Sequence, residues 1–257
     1  MLNDTTLFET IDKVAIAIER LKTFCPPEGY YLAFSGGKDS SVILALAKMA
    51  AVKYDAHYNM TTIDPPELVH FIKRQHTEVI FEVPKMPFLT RMAQRGFPQR
   101  QRRWCCEEYK EQGGSGRKVV TGIRAAESPK RARRKMVESC YKDTTKMYVN
   151  PIIDWTDNDV WEFIRQYNIP YCKLYDEGFK RIGCLFCPMA GSQRMIEYKR
   201  YPKIADAWIR AFEKIHAKKK SEGKASVDRW ANGKDMFMWW IRENRESYNK
   251  DQLVLFE

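Results

Sequence analysis

The chain contains no apolar run of the roughly 20 residues that a membrane-crossing helix needs, and its N-terminus shows no secretory hydrophobic core. The expectation is therefore a cytoplasmic protein with no membrane partner. No segment repeats, so a solenoid or propeller is not expected. The seven cysteines (Cys25, Cys105, Cys106, Cys140, Cys172, Cys184 and Cys187) are odd in number. Without an export signal this argues against a disulfide framework and leaves metal ligation or redox chemistry for the clustered ones. The Walker A spacing, with four residues between a glycine and a Gly-Lys pair, is also missing.

What is present is a globular composition. Hydrophobic residues make up 44% and charged residues 30% of 257 positions, enough for one large domain or a domain with an appended unit. The formal net charge of +11 suits a polyanionic partner or substrate, although solubility alone can explain such a surplus.

The most informative stretch runs from Tyr30 to about Met49. It reads as a short apolar strand, the turn Ser35-Gly36-Gly37-Lys38-Asp39-Ser40, and a helix. The glycines let the backbone approach a ligand, and the open N–H groups of the helix start suit an anion. Lys38 adds positive charge, and Ser35, Ser40 and Ser41 offer hydroxyls. Asp39 can bind magnesium or cap the helix.

Strand and helix alternate on either side of this loop. The spacing of Leu7, Ile11, Val14, Ile18 and Leu21 predicts a leading helix over residues 6–24. Residues 54–60, 79–83 and 118–123 read as further strands, residues 149–153 close the sheet region, and a helix is expected through about Gln75 and again after Thr156. This alternation predicts an α/β fold, a doubly wound and mostly parallel sheet with ligands beyond the carboxyl ends of its strands. From about residue 190 the pattern is helical and lysine-rich, with Trp208, Phe212, Trp230, Trp239 and Trp240 as packing anchors. The expected division is a nucleotide-binding domain over 1–190 and a helical extension over 191–257.

Arg124 follows a strand and can clamp phosphate or sulfate in a bidentate manner. The alternative for it is a surface ion pair with Glu127. Cys105-Cys106 and Cys184-x-x-Cys187 together supply four thiolates, which can hold an iron–sulfur cluster or zinc. Trp104, Leu185 and Phe186 would give them an apolar shell, whereas Cys25, Cys140 and Cys172 read as packing residues.

Four ordered stretches carry a family resemblance. They are Ser35 to Ser40, Thr121-Gly122-Ile123-Arg124-Ala125-Ala126-Glu127-Ser128, Trp155-Thr156-Asp157 through Trp161, and Leu174-Tyr175-Asp176-Glu177-Gly178 to Cys187-Pro188. Over about residues 28–190 the chain resembles the phosphoadenosine phosphosulfate (PAPS) reductase family of the adenine-nucleotide α-hydrolase, or PP-loop, superfamily. The resemblance includes members similar to DNA-phosphorothioation sulfurtransferases. It implies an adenine nucleotide, ATP or a sulfonucleotide, held by Ser35, Gly36, Gly37, Lys38, Asp39 and Ser40, with Arg124 and Ser128 near its anionic groups. Asp64, after the second strand, is the matching position for ribose or adenine contact, although the family's Asp-Thr-Gly wording is absent there.

The resemblance further implies a [4Fe–4S] cluster on Cys105, Cys106, Cys184 and Cys187, and magnesium with the nucleotide. The family's sulfate-assimilating reductases use a nucleophilic cysteine near the C-terminus, and no cysteine follows Cys187 here. The expected function is ATP cleavage at the α-phosphate in support of sulfur transfer, with Lys38, Asp39 and Arg124 as the chemical residues. Its partners would be a nucleic acid and a sulfur-donor protein, either a cysteine desulfurase or a thiol reductant. The basic stretches Arg91 to Arg103 and Arg131 to Lys135 suit a nucleic-acid backbone. The alternatives are reduction of adenylylsulfate or phosphoadenylylsulfate to sulfite, and a non-catalytic iron–sulfur nucleic-acid-binding module.

Overall fold

A computed structural model describes residues 2–5 and 10–242. The expected leading helix is shorter at its start. Thr10–Asp12 is a strand, β2, paired antiparallel with β1 (Asn3–Thr5), and the helix α1 covers Lys13–Phe24. The Asp12 carboxylate accepts from the amides of Val14 (2.9 Å) and Ala15 (3.0 Å), so a side-chain cap sets the boundary despite the apolar spacing of Ile11. Leu7 lies outside the described residues.

The chain forms two compact units, residues 1–84 with 106–183, and residues 85–105 with 184–257. Within the first, a six-stranded sheet has the order β5-β4-β3-β6-β8-β7. Its strands are β3 (Tyr30–Ala33), β4 (Tyr54–Asn59), β5 (Ile80–Glu82), β6 (Lys118–Val120), β7 (Val137–Ser139) and β8 (Met147–Val149). All neighbours run parallel except β7, an antiparallel edge strand on β8. The fold is thus the expected α/β type with a mostly parallel sheet.

The sheet closes at Val149, and residues 150–153 turn away from it. Pro151 lacks a ladder donor, and the Asn150 side chain instead ties Lys135 O to Thr121 Oγ1. Helices α2 (Lys38–Met49), α3 (Pro66–Gln75) and α6 (Asp157–Gln166) complete this unit with α1. The core is built from Leu21, Tyr30, Leu32, Ile43, Leu46, Trp155 and Phe163, all at most 1% exposed. The Tyr30 hydroxyl donates to Leu21 O at 2.9 Å, fastening β3 to α1.

Connectivity places the ligand region. The chain leaves β3 for β4 on one side, while β6 joins the opposite side of β3 later. The carboxyl ends of β3 and β6 therefore diverge, which is the topological switch point of an open parallel sheet.

The second unit contains α4 (Phe88–Arg95), α7 (Gln193–Arg200), α8 (Pro202–Ser221) and α9 (Gly233–Ile241). A helix α5 (Trp104–Tyr109) runs across the boundary between Cys105 and Cys106. Residues 85–105 and 184–190 thus join the C-terminal helices. Aromatic packing gives the reason: Phe88 lies 5.4 Å from Trp208, Phe97 stacks on Phe212 at 5.3 Å, and Phe186 meets Trp208 and Phe237. Among the described residues no helix is long and apolar enough to cross a membrane.

Candidate functional site

The turn after β3 depends on glycine at one position. Gly36 has φ +71°, and a Cβ there would stand 2.6 Å from Leu68 and 2.7 Å from Ile72 of α3. Ser40 builds the turn from inside: it is buried, donates to Gly37 O at 2.8 Å and accepts from the Ser35 amide at 3.2 Å. Ser35 is exposed, and its hydroxyl reaches Ser40 Oγ at 3.1 Å and the Gly37 amide at 3.4 Å. Ser40 is therefore a shaper of the loop, and Ser35 is the hydroxyl open to a ligand. Ser41 Oγ is buried without a hydrogen-bond partner.

A second close approach brings β6 to the helix start. A Cβ on Gly122 would lie 2.9 Å from the Asp39 carbonyl carbon and oxygen, so only glycine permits this spacing. Two residues further on, Arg124 is buried and its Nε donates to Asp39 at 2.6 Å. The guanidinium also donates to Asp157 at 3.1 Å and to Trp155 O at 3.4 Å. The surface pair with Glu127 considered from sequence is not formed, because Glu127 pairs with Arg131. Lys38 is buried as well, with Nζ 2.9 Å from Asp157 and 3.3 Å from Asp39.

The result is two cations alternating with two carboxylates at the carboxyl ends of three adjacent strands, β3, β6 and β8. Burial pushes Asp157 upward, but hydrogen bonding to Lys38 and the charges of Lys38 and Arg124 outweigh it and hold the carboxyl below its ordinary range. The Thr156 capping box, with Asp159 as its return partner, sets the start of α6 and so positions Asp157.

Two more groups complete the site. Tyr175 accepts a hydrogen bond from the Lys38 amide at 3.0 Å, where an anion oxygen would dock, and its ring meets Trp161 edge-on at 5.1 Å. Burial raises its phenol far above the ordinary value, so the hydroxyl is neutral. Arg131 is pushed down by burial and then by repulsion from Arg181, with Asp39 opposing and Arg124 and Arg134 adding to the repulsion. Its guanidinium therefore belongs to the surroundings of the loop.

Sequence reasoning did not select Asp157, Tyr175 or Arg131 as site residues. Asp157 and Tyr175 stand inside quoted motifs, and Arg131 begins a basic run read as a nucleic-acid contact. The two remaining expected nucleotide residues serve local structure. Asp64 accepts from the Thr61 amide at 2.7 Å, and Ser128 Oγ accepts from the Arg131 amide at 3.3 Å.

Asp39 and Asp157 supply the one or two carboxylates that magnesium takes beside phosphate oxygens and water, so these residues fit that ion. Cys105, Cys184 and Cys187 belong to one compact unit and Cys106 to the other, and no group of three or more His, Cys, Asp or Glu among the described residues could hold a metal.

An open parallel sheet with a glycine-bearing, cation-lined loop at its switch point defines a nucleotide-binding α/β protein. Residues 29–190 match the phosphoadenosine phosphosulfate reductase domain, and the chain belongs to that family. A protein of Methanocaldococcus jannaschii is 28% identical over 215 residues, covering 78% of this chain and 52% of its own length. A probable FAD synthase of Caenorhabditis briggsae is 30% identical over 166 residues, covering 62% of this chain and 29% of its own. The chain spans about half the length of the first curated relatives it matches. Among solved structures, phosphoadenylyl-sulfate reductase from Candida auris, a phosphate complex, shares the fold. Its TM-score is 0.52 at 19% identity, covering 70% of this chain and 90% of that one.

Proposed function

We propose that the chain binds ATP at Ser35 to Ser40, cleaves it between the α- and β-phosphates, and supports sulfur transfer to a nucleic-acid backbone. The observation that carries this reading is the alternation of Lys38 and Arg124 with Asp39 and Asp157. The two carboxylates neutralise the two cations, so a bare anion gains little there. A magnesium nucleotide matches both signs. The ion, when bound, would neutralise phosphate charge.

Lys38 and the loop amides hold the departing pyrophosphate, and Arg124 faces the charge developing at the α-phosphate. An acceptor oxygen attacks the α-phosphorus, the bond to the bridging oxygen breaks, and pyrophosphate leaves. Sulfide-level sulfur from a donor protein then attacks the activated acceptor atom, and AMP carries away the oxygen.

The match to the phosphoadenosine phosphosulfate reductase domain supports a second reading, reduction of a sulfonucleotide to sulfite. Burial raises the Cys140 thiol, but amides of Lys142 and Asp143, the Tyr148 hydroxyl and Lys146 outweigh it and lower its pKa. Cys140 nevertheless follows β7, which runs antiparallel to β8, and its amide donates to Lys146 O before β8 begins, so it lies at the end of the sheet opposite the loop. In this reading an external thiolate attacks the sulfonate sulfur and expels the nucleotide, and a second thiol releases sulfite by forming a disulfide. Cys172 is unsuited, being buried with its thiol raised. Anaerobic product analysis with radiolabelled ATP and, separately, phosphoadenylylsulfate separates the readings. AMP with pyrophosphate supports the first, and thiol-dependent sulfite supports the second.

A further inference from the structure

The helical unit gathers cations at one edge of its aromatic core. Between Lys214 and Arg242 the chain carries eight basic and three acidic side chains. Trp239 on α9 is 47% exposed, unlike Trp230, which is 4% exposed and lies 4.9 Å from it. The Arg229 guanidinium stands over both indoles, 3.9 Å from the Trp230 ring centre and 4.8 Å from that of Trp239. On the same unit Lys219 lies over Phe97 at 5.8 Å, and Phe97 meets Trp239 edge-on at 6.2 Å.

These cations are poorly compensated. Among the described residues neither Arg229 nor Lys219 has a carboxylate within ion-pair distance, whereas Glu222 is taken by Lys224 at 2.8 Å and Lys218 at 4.0 Å. Burial, Lys224 and Arg229 all push Lys219 down, with Glu222 only partly opposing. Like charges crowded on an aromatic face are unfavourable until an anion arrives. A structural arginine would ordinarily stand beside a carboxylate.

The geometry points to a binding surface for single-stranded nucleic acid on the helical unit, with Trp239 as the stacking platform for a base and Arg229, Lys219 and Lys224 as phosphate contacts. The half-exposed Trp239 indole explains the choice of partner. A single strand offers bases free to stack and a phosphate for each, a duplex keeps its bases paired inside, and an acidic peptide has no ring for the indole. The inference rests on the nucleic-acid reading above. It moves the grip from Arg91–Arg103 to α8, α9 and the segment joining them.

The test is fluorescence anisotropy of a labelled twelve-nucleotide single strand with the full chain and no ATP, so failure of nucleotide cleavage does not affect it. The same assay is run with the matching duplex and with polyglutamate. Trp239→Ala should weaken strand binding by about 5- to 150-fold, the range for losing one stacked base, and Trp239→Phe should restore most of it. Arg229→Ala should lower the slope of log affinity against log salt by about 0.7. A Trp239→Ala affinity within twofold of the parent, or equal affinity for duplex or polyglutamate, would overturn the inference.

Discussion

Replacing Arg124 by Met keeps most of the side-chain volume and removes the charge at the centre of the site. Arg124 retains 3% of its side-chain exposure, Asp39 21% and Asp157 64%. The shielded bond to Asp39 is a charge-assisted one contributing about 1.5–3 kcal/mol. The contact to the well-exposed Asp157 contributes under about 1 kcal/mol. Lys38 still reaches both carboxylates, so neither is left alone, and the expected loss of stability in urea titrations is about 2–3 kcal/mol.

Magnesium-ATP affinity measured by calorimetry on the folded variant should fall about 10- to 150-fold, as expected for one lost charge-assisted phosphate clamp. The double change Arg124→Met with Asp39→Asn removes the carboxylate as well. It should return at least half of the lost stability and none of the affinity. A Kd within twofold of the parent in the single variant, or joint recovery of stability and affinity in the double, would refute the role given to Arg124.

His76 gives a pH prediction. It is buried between Phe34 and Phe71, and neither ring nitrogen has a hydrogen-bond partner. Burial first, with Lys48 adding and Glu78 opposing, lowers its pKa from the ordinary 6.5. The unfolded chain then binds the proton more readily, so this stability is complete above about pH 6.5 and lost as pH falls towards the folded value, by up to about 1.4 kcal/mol per pH unit. Urea midpoints at pH 5 and 7 should differ less in His76→Phe than in the parent, and equal differences would exclude the effect. For the cysteines, the family resemblance implies about four irons per chain in anaerobically prepared protein, lost in Cys184→Ser. Iron-free parent protein, or stoichiometric zinc, would rule out the cluster.

The loop was readable because its information is contiguous. Ser35 to Ser40 between an apolar strand and a helix identifies the turn, and Arg124 follows the same logic after β6. What joins them is not contiguous. Asp157 reaches the loop only because β8 lies beside β6, and Tyr175 does so only through the packing of its ring against Trp161. Gly122 falls inside the expected strand 118–123, and its necessity comes from the backbone of Asp39.

Residues 85–105 carry no periodic signal that separates them from the nucleotide-binding domain. Their allegiance is set by rings of Phe88 and Phe97 meeting Trp208 and Phe212 more than 100 positions later. The same division falls between Cys105 and Cys106, adjacent positions that the sequence gives no reason to separate.

The central claim is nucleotide cleavage at the α-phosphate by the loop and its charge-balanced surroundings. It is tested most directly by incubating the anaerobic protein with magnesium and ATP labelled separately at the α- and γ-phosphates, with and without a single-stranded nucleic acid. The expected products are labelled AMP and labelled pyrophosphate, dependent on magnesium and absent in Lys38→Ala. ADP with inorganic phosphate, or no cleavage of ATP alongside thiol-dependent sulfite release from phosphoadenylylsulfate, would contradict it.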